Sequence, residues 1–246
     1  MPIIYLSPST QENNFYVTGG TEEQYMNLLA DKMVPFLNAS GIRYTRNTPS
    51  MTAATSIAAS NAGNYDLHLA LHSNAAPEGR YGTIQGSIVF YYPGSTQGQR
   101  AAEIIANGLK EIYPDPNLVR AEATTAIGEV RRVRAPSVFL ELAFHDNVED
   151  ALWIQNNLDA IARNLVLSLT EYFGIPFYET ERNQQATVDV SWGALNIRAR
   201  PSTSAPILAQ APDGSALTVI NRSNGWSLVN YNGIIGYASD DFITLN

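Results

Sequence analysis

The sequence of 246 residues contains no cysteine. This absence excludes disulfide bonds and thiolate metal sites, so histidine, acidic and amide side chains are the only protein ligands left for a metal ion. Histidine is itself scarce, with three residues in the chain. Basic residues number 15 against 23 acidic ones, and the formal net charge is −8. That balance argues against broad nucleic-acid binding, which needs a basic surface.

Long hydrophobic runs are also missing. No stretch approaches the roughly 20 apolar residues that a membrane-spanning helix needs, so we expect no membrane span. The first seven residues lack the basic start and long apolar segment of a signal peptide. We therefore expect either a leader that has been removed or release by another route, such as cell lysis. The hydrophobic share of 45% is enough to bury a sizeable core.

The first 176 residues read as short apolar strands that alternate with helices. Strands are expected at 2–7, 42–46, 65–72, 87–92 and 138–142, and helices at 21–41, 52–62, 97–112 and 148–173. This alternation predicts an α/β domain with a mostly parallel sheet flanked by helices. Pro35 lies inside the first helical pattern, where we expect it to kink or end the helix.

The pattern changes after Pro176. The polar segment 177–186 predicts a linker, because it has neither helical nor strand periodicity. Residues 187–246 contain short β-type runs separated by turn sequences such as Asp213-Gly214 and Asn232-Gly233. They predict a second domain, a small all-β barrel.

Three residues suited to metal or acid–base chemistry lie at the ends of predicted elements. Glu22 begins the first long helix, His72 ends the third strand, and Glu141 interrupts the apolar run 136–142. Each alone also fits a structural role, as a first-turn helix acid, a strand-end histidine or a buried salt-bridge partner. Together they favour metal-assisted hydrolysis, since ligands gather at the carboxyl ends of strands in such sheets. One Glu and one His would hold Zn²⁺, and the second Glu would accept a proton from water.

These segments resemble the zinc-dependent N-acetylmuramoyl-L-alanine amidases, which cut peptidoglycan. The matching segments are 22–30 at the start of the first long helix, His72-Ser73-Asn74-Ala75, and 136–141 followed by Phe144-x-x-Asn147. The resemblance implies hydrolysis of the amide bond between N-acetylmuramoyl residues and L-alanine, with Zn²⁺ as cofactor. It makes Glu22 and His72 metal ligands and Glu141 the catalytic base and acid. Asn74 would contact the substrate or support the ligands.

The first strand departs from the family pattern, which ends Asp-Pro-Gly-His with the histidine as a zinc ligand. Thr10 stands at the histidine position in this chain. We expect Gln11 to supply the third ligand, although an amide oxygen binds zinc more weakly than imidazole does. Glu12 from the same loop and His145 from the loop after Glu141 are alternatives. His145 fits equally well as an exposed loop histidine that contacts substrate or solvent.

His68 precedes His72 by four residues, so both side chains point to the same face of the strand. A rise of about 3.3 Å per residue separates the two positions by roughly 13 Å, which favours a core histidine over a shared metal. Four arginines precede the predicted strand of Glu141: Arg120, Arg131, Arg132 and Arg134. They predict a solvated face. A less favoured interpretation is that Arg120 contacts carboxylates of the wall peptides.

Residues 187–246 resemble the bacterial SH3-like modules. The opening Leu195-Asn196-x-Arg198-x-x-Pro201 matches their pattern, and Trp226 and Tyr237 follow in the expected order. The resemblance implies that this domain binds peptidoglycan, which places the protein in the cell wall or outside the cell. The two aromatic residues suit either a binding groove or, more often in small barrels, the core.

The expected function is therefore that of a zinc-dependent peptidoglycan amidase with a wall-binding module. Two alternatives remain open. The missing histidine favours a non-catalytic peptidoglycan-binding protein with a degenerate zinc site. A zinc peptidase acting on wall stem peptides would share the metal chemistry and cut a different bond, so the identity of its products separates it from an amidase.

Overall fold

The computed structural model describes all 246 residues, which form two compact units. One unit comprises Ile3–Val34 and Tyr44–Tyr172. The other comprises Met1–Pro2, Pro35–Arg43 and Phe173–Asn246. No helix combines the length and the apolar character needed to cross a membrane.

The first 173 residues contain six strands and six helices. The strands are β1 (Ile3–Pro8), β2 (Arg43–Arg46), β3 (Leu67–Asn74), β4 (Ser87–Tyr91), β5 (Val119–Ala123) and β6 (Ser137–Phe144). The helices are α1 (Glu22–Ala39), α2 (Ala53–Ala62), α3 (Thr96–Lys110), α4 (Gly128–Arg131), α5 (Val148–Asn156) and α6 (Leu158–Phe173). The strands form one sheet in the order β2-β1-β3-β6-β4-β5.

The centre of this sheet is parallel and buried. β1, β3 and β6 run in one direction, and β4 pairs antiparallel with β6 and parallel with β5. Seven of the eight residues of β3 are buried, as the apolar sequence of this strand predicts. The predicted α/β fold with a mostly parallel sheet is confirmed.

The helices answer one open point and correct one prediction. Of the two effects expected of Pro35, a kink or an end, the end is excluded, because α1 continues through the proline to Ala39. Proline removes one backbone hydrogen bond, but Met33 and Leu37 on the same helix are fully buried, and their packing offsets that loss. The predicted helix 148–173 is instead two helices. The break lies at Asn157. Its side-chain amide donates a hydrogen bond to the carbonyl of Trp153, which competes with the backbone bonds of a continuous helix.

Seven strands make up the C-terminal part of the chain. They are β7 (Gln184–Val188), β8 (Ala194–Arg198), β9 (Ile207–Pro212), β10 (Ala216–Ser223), β11 (Trp226–Tyr231), β12 (Ile234–Ser239) and β13 (Ile243–Leu245). Their order is β13-β7-β10-β11-β12-β8-β9 with antiparallel pairing, so the all-β prediction is confirmed. β7 begins within the predicted linker, and the domain limits at residues 176 and 187 stay a prediction.

Candidate active site

The site begins with the register of two neighbouring parallel strands. His72 of β3 lies beside Glu141 of β6, and His68 lies beside Ser137. Because side chains alternate along a strand, these four residues project from one face of the sheet. The short helix α4 covers that face, where its Val130 belongs to a buried apolar cluster with neighbouring strand residues.

Glu22 and His72 form a buried pair at the edge of this face. α1 begins at Glu22, and the Oε1 atom of Glu22 lies 2.7 Å from His72 Nδ1. The other carboxylate oxygen accepts a hydrogen bond of 2.6 Å from the side-chain amide of Asn14. Burial favours the neutral acid, yet the hydrogen bond and charge of His72 together with the Asn14 bond hold the pKa of Glu22 below its ordinary value.

A second carboxylate, Glu129 of α4, lies on the other side of the His72 ring. Its Oε2 atom is 3.5 Å from His72 Nε2, and its Oε1 atom is 3.3 Å from His68 Nε2. Ser7 also donates a hydrogen bond of 2.6 Å to Oε1. Burial opposes ionisation of Glu129, but hydrogen bonds and charges from the two histidines lower its pKa to about 2.

His72 is consequently held between two carboxylates. Burial alone would lower the pKa of its imidazole, whereas the hydrogen bonds and charges of Glu129 and Glu22 raise that pKa to about 9. In the metal-free protein at neutral pH, both ring nitrogens therefore carry protons. The ring of Phe139 stacks on the imidazole at a centroid distance of 4.2 Å and limits its movement.

Glu141 has the opposite electrostatic environment. Its Oε2 atom is buried and has no hydrogen-bond partner. Burial raises the pKa of Glu141 to about 8, and the neighbouring carboxylate of Glu22 adds to the increase while His72 opposes it. A carboxyl group that exchanges its proton near neutral pH suits general acid–base chemistry.

The loop after β1 brings Gln11 to the Glu22–His72 pair. The Nε2 atom of Gln11 lies 3.3 Å from His72 Nδ1, and its Oε1 atom accepts a hydrogen bond of 3.1 Å from Asn14. Rotation of the amide group by 180° exchanges these two atoms, so that the oxygen faces His72. Glu12 of the same loop is exposed.

His145 and Asn74 lie beside this group and organise the surrounding loops. The His145 ring is buried and stacks on Tyr16, and its Nδ1 atom lies 3.0 Å from both Ser73 Oγ and the Ser73 carbonyl oxygen. The Asn74 carbonyl accepts the backbone N–H of His145, while its side-chain oxygen accepts the N–H of Ala75. Their predicted contacts with substrate or metal stay predictions.

The donors at this edge fit a zinc ion with one unusual ligand. No cluster of three or more histidine and acidic side chains is arranged to hold a metal. Glu22, His72 and the amide of Gln11 nevertheless converge, and these are the residues that would hold a zinc ion. A carboxylate, an imidazole and an amide make a weaker zinc site than one with two imidazoles.

The sequence did not indicate Glu129. Its neighbours Arg131 and Arg132 are exposed, as predicted, and they made the segment resemble a solvated loop. Arg120 is also exposed and pairs with Glu122 at 2.9 Å. The structure shows that Glu129 and Val130 are both buried, which no pattern in the sequence indicated. His68 is the core histidine that we expected, with Ser60 Oγ 3.0 Å from its Nδ1 atom.

Comparison with known proteins gives a match for each part of the chain. Residues 9–171 match the family profile described as N-acetylmuramoyl-L-alanine amidase, and residues 193–244 match the profile of the bacterial SH3 domain. One curated relative is the putative N-acetylmuramoyl-L-alanine amidase YrvJ of Bacillus subtilis strain 168, 26% identical over 96 residues. The matched stretch covers 39% of this chain and 18% of that relative.

Solved amidase structures share the fold of the first part. The N-acetylmuramoyl-L-alanine amidase AmiC2 of Nostoc punctiforme has a TM-score of 0.61 at 14% identity, over 70% of this chain and 97% of that chain. The N-acetylmuramoyl-L-alanine amidase of Clostridium difficile 630 has a TM-score of 0.60 at 16% identity, with the same coverage of both chains. The catalytic domain of the endolysin CD27L, which targets Clostridia difficile, has a TM-score of 0.57 at 20% identity, again with that coverage.

Proposed function

Because the chain belongs to the N-acetylmuramoyl-L-alanine amidase family, we propose that it hydrolyses the amide bond between N-acetylmuramoyl groups and L-alanine in peptidoglycan. The observation that carries this proposal is the placement of Glu22, His72 and Glu141 together at one edge of the sheet. A buried carboxylate–imidazole pair beside a carboxyl group of raised pKa is the arrangement that metal-assisted amide hydrolysis requires.

Glu22, His72 and Gln11 are the residues that would hold Zn²⁺. When bound, zinc lowers the pKa of water and polarises the carbonyl group of the amide. Asn14 supports the metal-facing pair, since it donates to the second oxygen of Glu22. Exposed Gln11 lies on the side from which a polymeric substrate can approach.

Glu141 performs the proton transfers in this proposal. Its ionised form accepts the proton of the attacking water, and its neutral form donates that proton to the leaving nitrogen of L-alanine. The Oε2 atom accepts no hydrogen bond from the protein, so no protein group competes with water or substrate for that oxygen.

The SH3 region supplies the attachment to the wall. A cavity of about 460 Å³ lies on this region and is lined by Trp192, Trp226 and Phe242 together with the amide side chains of Asn196 and Gln210. Trp192 is 87% exposed, which is unusual for so large an apolar side chain. Aromatic surface with convergent polar groups suits a peptide or sugar of the wall. Attachment there raises the local concentration of the catalytic domain on an insoluble substrate.

Digestion of purified peptidoglycan tests the reaction. The amidase reaction releases new amino termini that are L-alanine, identified by terminal labelling and mass spectrometry. New termini of other residues would instead show a peptidase acting on the stem peptides. The absence of new termini, in a protein that still sediments with the wall, would favour a non-catalytic binding protein, the candidate that threonine at the position of the family's histidine supports.

A further inference from the structure

We propose that Glu129 is a positioning residue that holds His72 with its Nδ1 edge turned toward Glu22 and Gln11. The inference rests on the proposed function, because it concerns the metal-facing edge of the same imidazole. It assigns a role to a buried acid that faces the Nε2 side of His72.

The geometry separates the roles of the two carboxylates. Nδ1 of His72 faces Glu22 at 2.7 Å, whereas Nε2 faces Glu129 at 3.5 Å. The two nitrogens lie on different sides of the imidazole ring, so Glu129 faces the nitrogen that does not face Glu22. Glu129 therefore acts on the ring through the Nε2–H group, while Glu22 and Gln11 lie on the Nδ1 side that would face a metal.

Glu129 is itself held on several sides. Ser7 donates to its Oε1 atom, His68 faces the same oxygen, and Ser137 Oγ donates to the backbone carbonyl of Glu129 at 2.6 Å. His68 is in turn fixed by Ser60 and by stacking on Tyr5 at a centroid distance of 5.3 Å. The carboxylate thus has a defined position before any ligand binds.

This arrangement makes His72 a better ligand. A carboxylate that accepts the Nε2–H bond fixes the tautomer with a free Nδ1 and increases the basicity of the ring. The gain matters at this site because the third donor is an amide, which binds zinc more weakly than imidazole. Glu129 compensates in part for that weaker ligand.

The test compares zinc affinity and hydrogen exchange in Glu129→Gln. An amide has one acceptor oxygen for two imidazoles, so we expect zinc affinity, measured by competition with a chromophoric chelator, to fall roughly 10–100-fold. In ¹H–¹⁵N spectra of the metal-free wild-type protein, we expect the Nε2–H resonance of His72 to be protected from exchange with water. In Glu129→Gln we expect that resonance to be lost. Glu129→Ala provides a second variant for the same two measurements.

Asp150→Asn is the matched control. Asp150 is also a buried acid, and it accepts bonds from Tyr113 and from the backbone of Gly86 and Phe144, away from His72. Its substitution is expected to lower the unfolding temperature and leave zinc affinity unchanged.

The two readouts separate failure of this inference from failure of the proposed function. Wild-type zinc affinity and a protected His72 Nε2–H in both Glu129 variants would overturn the role of Glu129. Absence of zinc binding in the wild-type protein would contradict the zinc chemistry proposed above. In that case the His72 resonance still decides whether Glu129 positions the ring, since it is measured without metal.

Discussion

Four titratable residues around the end of β3 determine which groups of the site are charged. Glu22 and Glu129 have lowered pKa values and His72 a raised one, which makes them a charged group, while Glu141 beside them favours its neutral form. The environments of two carboxylates next to the same imidazole thus push their pKa values apart. That contrast supports ligand and acid–base roles for different residues in one small volume.

The proposed zinc site differs from the family pattern in its third ligand, which is the amide of Gln11 instead of a histidine. Gln11→Ala removes the amide donor near His72, so we expect zinc affinity to fall roughly tenfold or more and activity to fall with it. Gln11→His places an imidazole in the same loop and should bind zinc more tightly than the wild type. Competition titration with a zinc indicator measures both. Equal affinity in all three proteins would exclude Gln11 from the metal site.

Stability of the metal-free protein should fall as pH rises from 6 to 9. The pKa of His72 is raised from 6.5 to about 9, so its stabilising contribution is complete below pH 6.5 and lost as pH rises through 9. The pKa of Glu141 is raised from 4.5 to about 8, so the folded state also binds more protons than the unfolded chain between those values. The contribution of Glu129, with its lowered pKa, is present above pH 4.5 and lost as pH falls toward 2.

Thermal unfolding in the presence of a chelator measures this effect. We expect a midpoint several degrees lower at pH 9 than at pH 6, roughly the shift that 1–2 kcal/mol produces. His72→Gln should flatten the dependence, because it removes one of the two groups responsible. A midpoint that rises toward pH 9 would contradict the assigned protonation states.

At the scale of elements, the buried central strands were predictable from the sequence, whereas the strand β5 was missed because most of its residues are exposed and give no apolar run. The apolar run 67–72 and the run 138–142 identified the two central strands, because burial on both faces leaves little choice of residue. The sequence also indicated Glu22, His72 and Glu141 at the strand and helix ends. Glu129 was missed because α4 has four residues and no periodicity, and only tertiary packing places it over β3.

The start of α2 provides a test of local structure away from the site. Thr52 accepts a hydrogen bond from the N–H of Thr55, and the Thr55 hydroxyl accepts one from the N–H of Thr52, which together form a capping box. Thr52→Ala should lower the free energy of unfolding by about 1 kcal/mol. Thr52→Ser keeps the oxygen and serves as control in chemical denaturation. Equal losses in both variants would show that the hydroxyl has no capping role.

At the scale of the whole molecule, we propose that catalysis and attachment to the wall belong to different parts of the chain. We expect Trp192→Ala to reduce sedimentation of the protein with peptidoglycan, since it removes the largest exposed aromatic surface of the SH3 cavity. Ile234→Ala is the control, because Ile234 is an exposed apolar residue of the same region outside that cavity. Cleavage of a soluble muramoyl-peptide should be equal in both variants. Unchanged sedimentation of Trp192→Ala would place wall binding elsewhere.

The most direct measurement combines peptidoglycan digestion with metal removal and a change at Glu141. Chelator-treated protein should release no N-terminal L-alanine, and addition of Zn²⁺ should restore the release. Glu141→Gln loaded with zinc should be slower by a factor on the order of 10²–10⁴, the usual contribution of a general base. Release of L-alanine termini that survives chelation, or that Glu141→Gln leaves unchanged, would contradict the zinc-dependent mechanism.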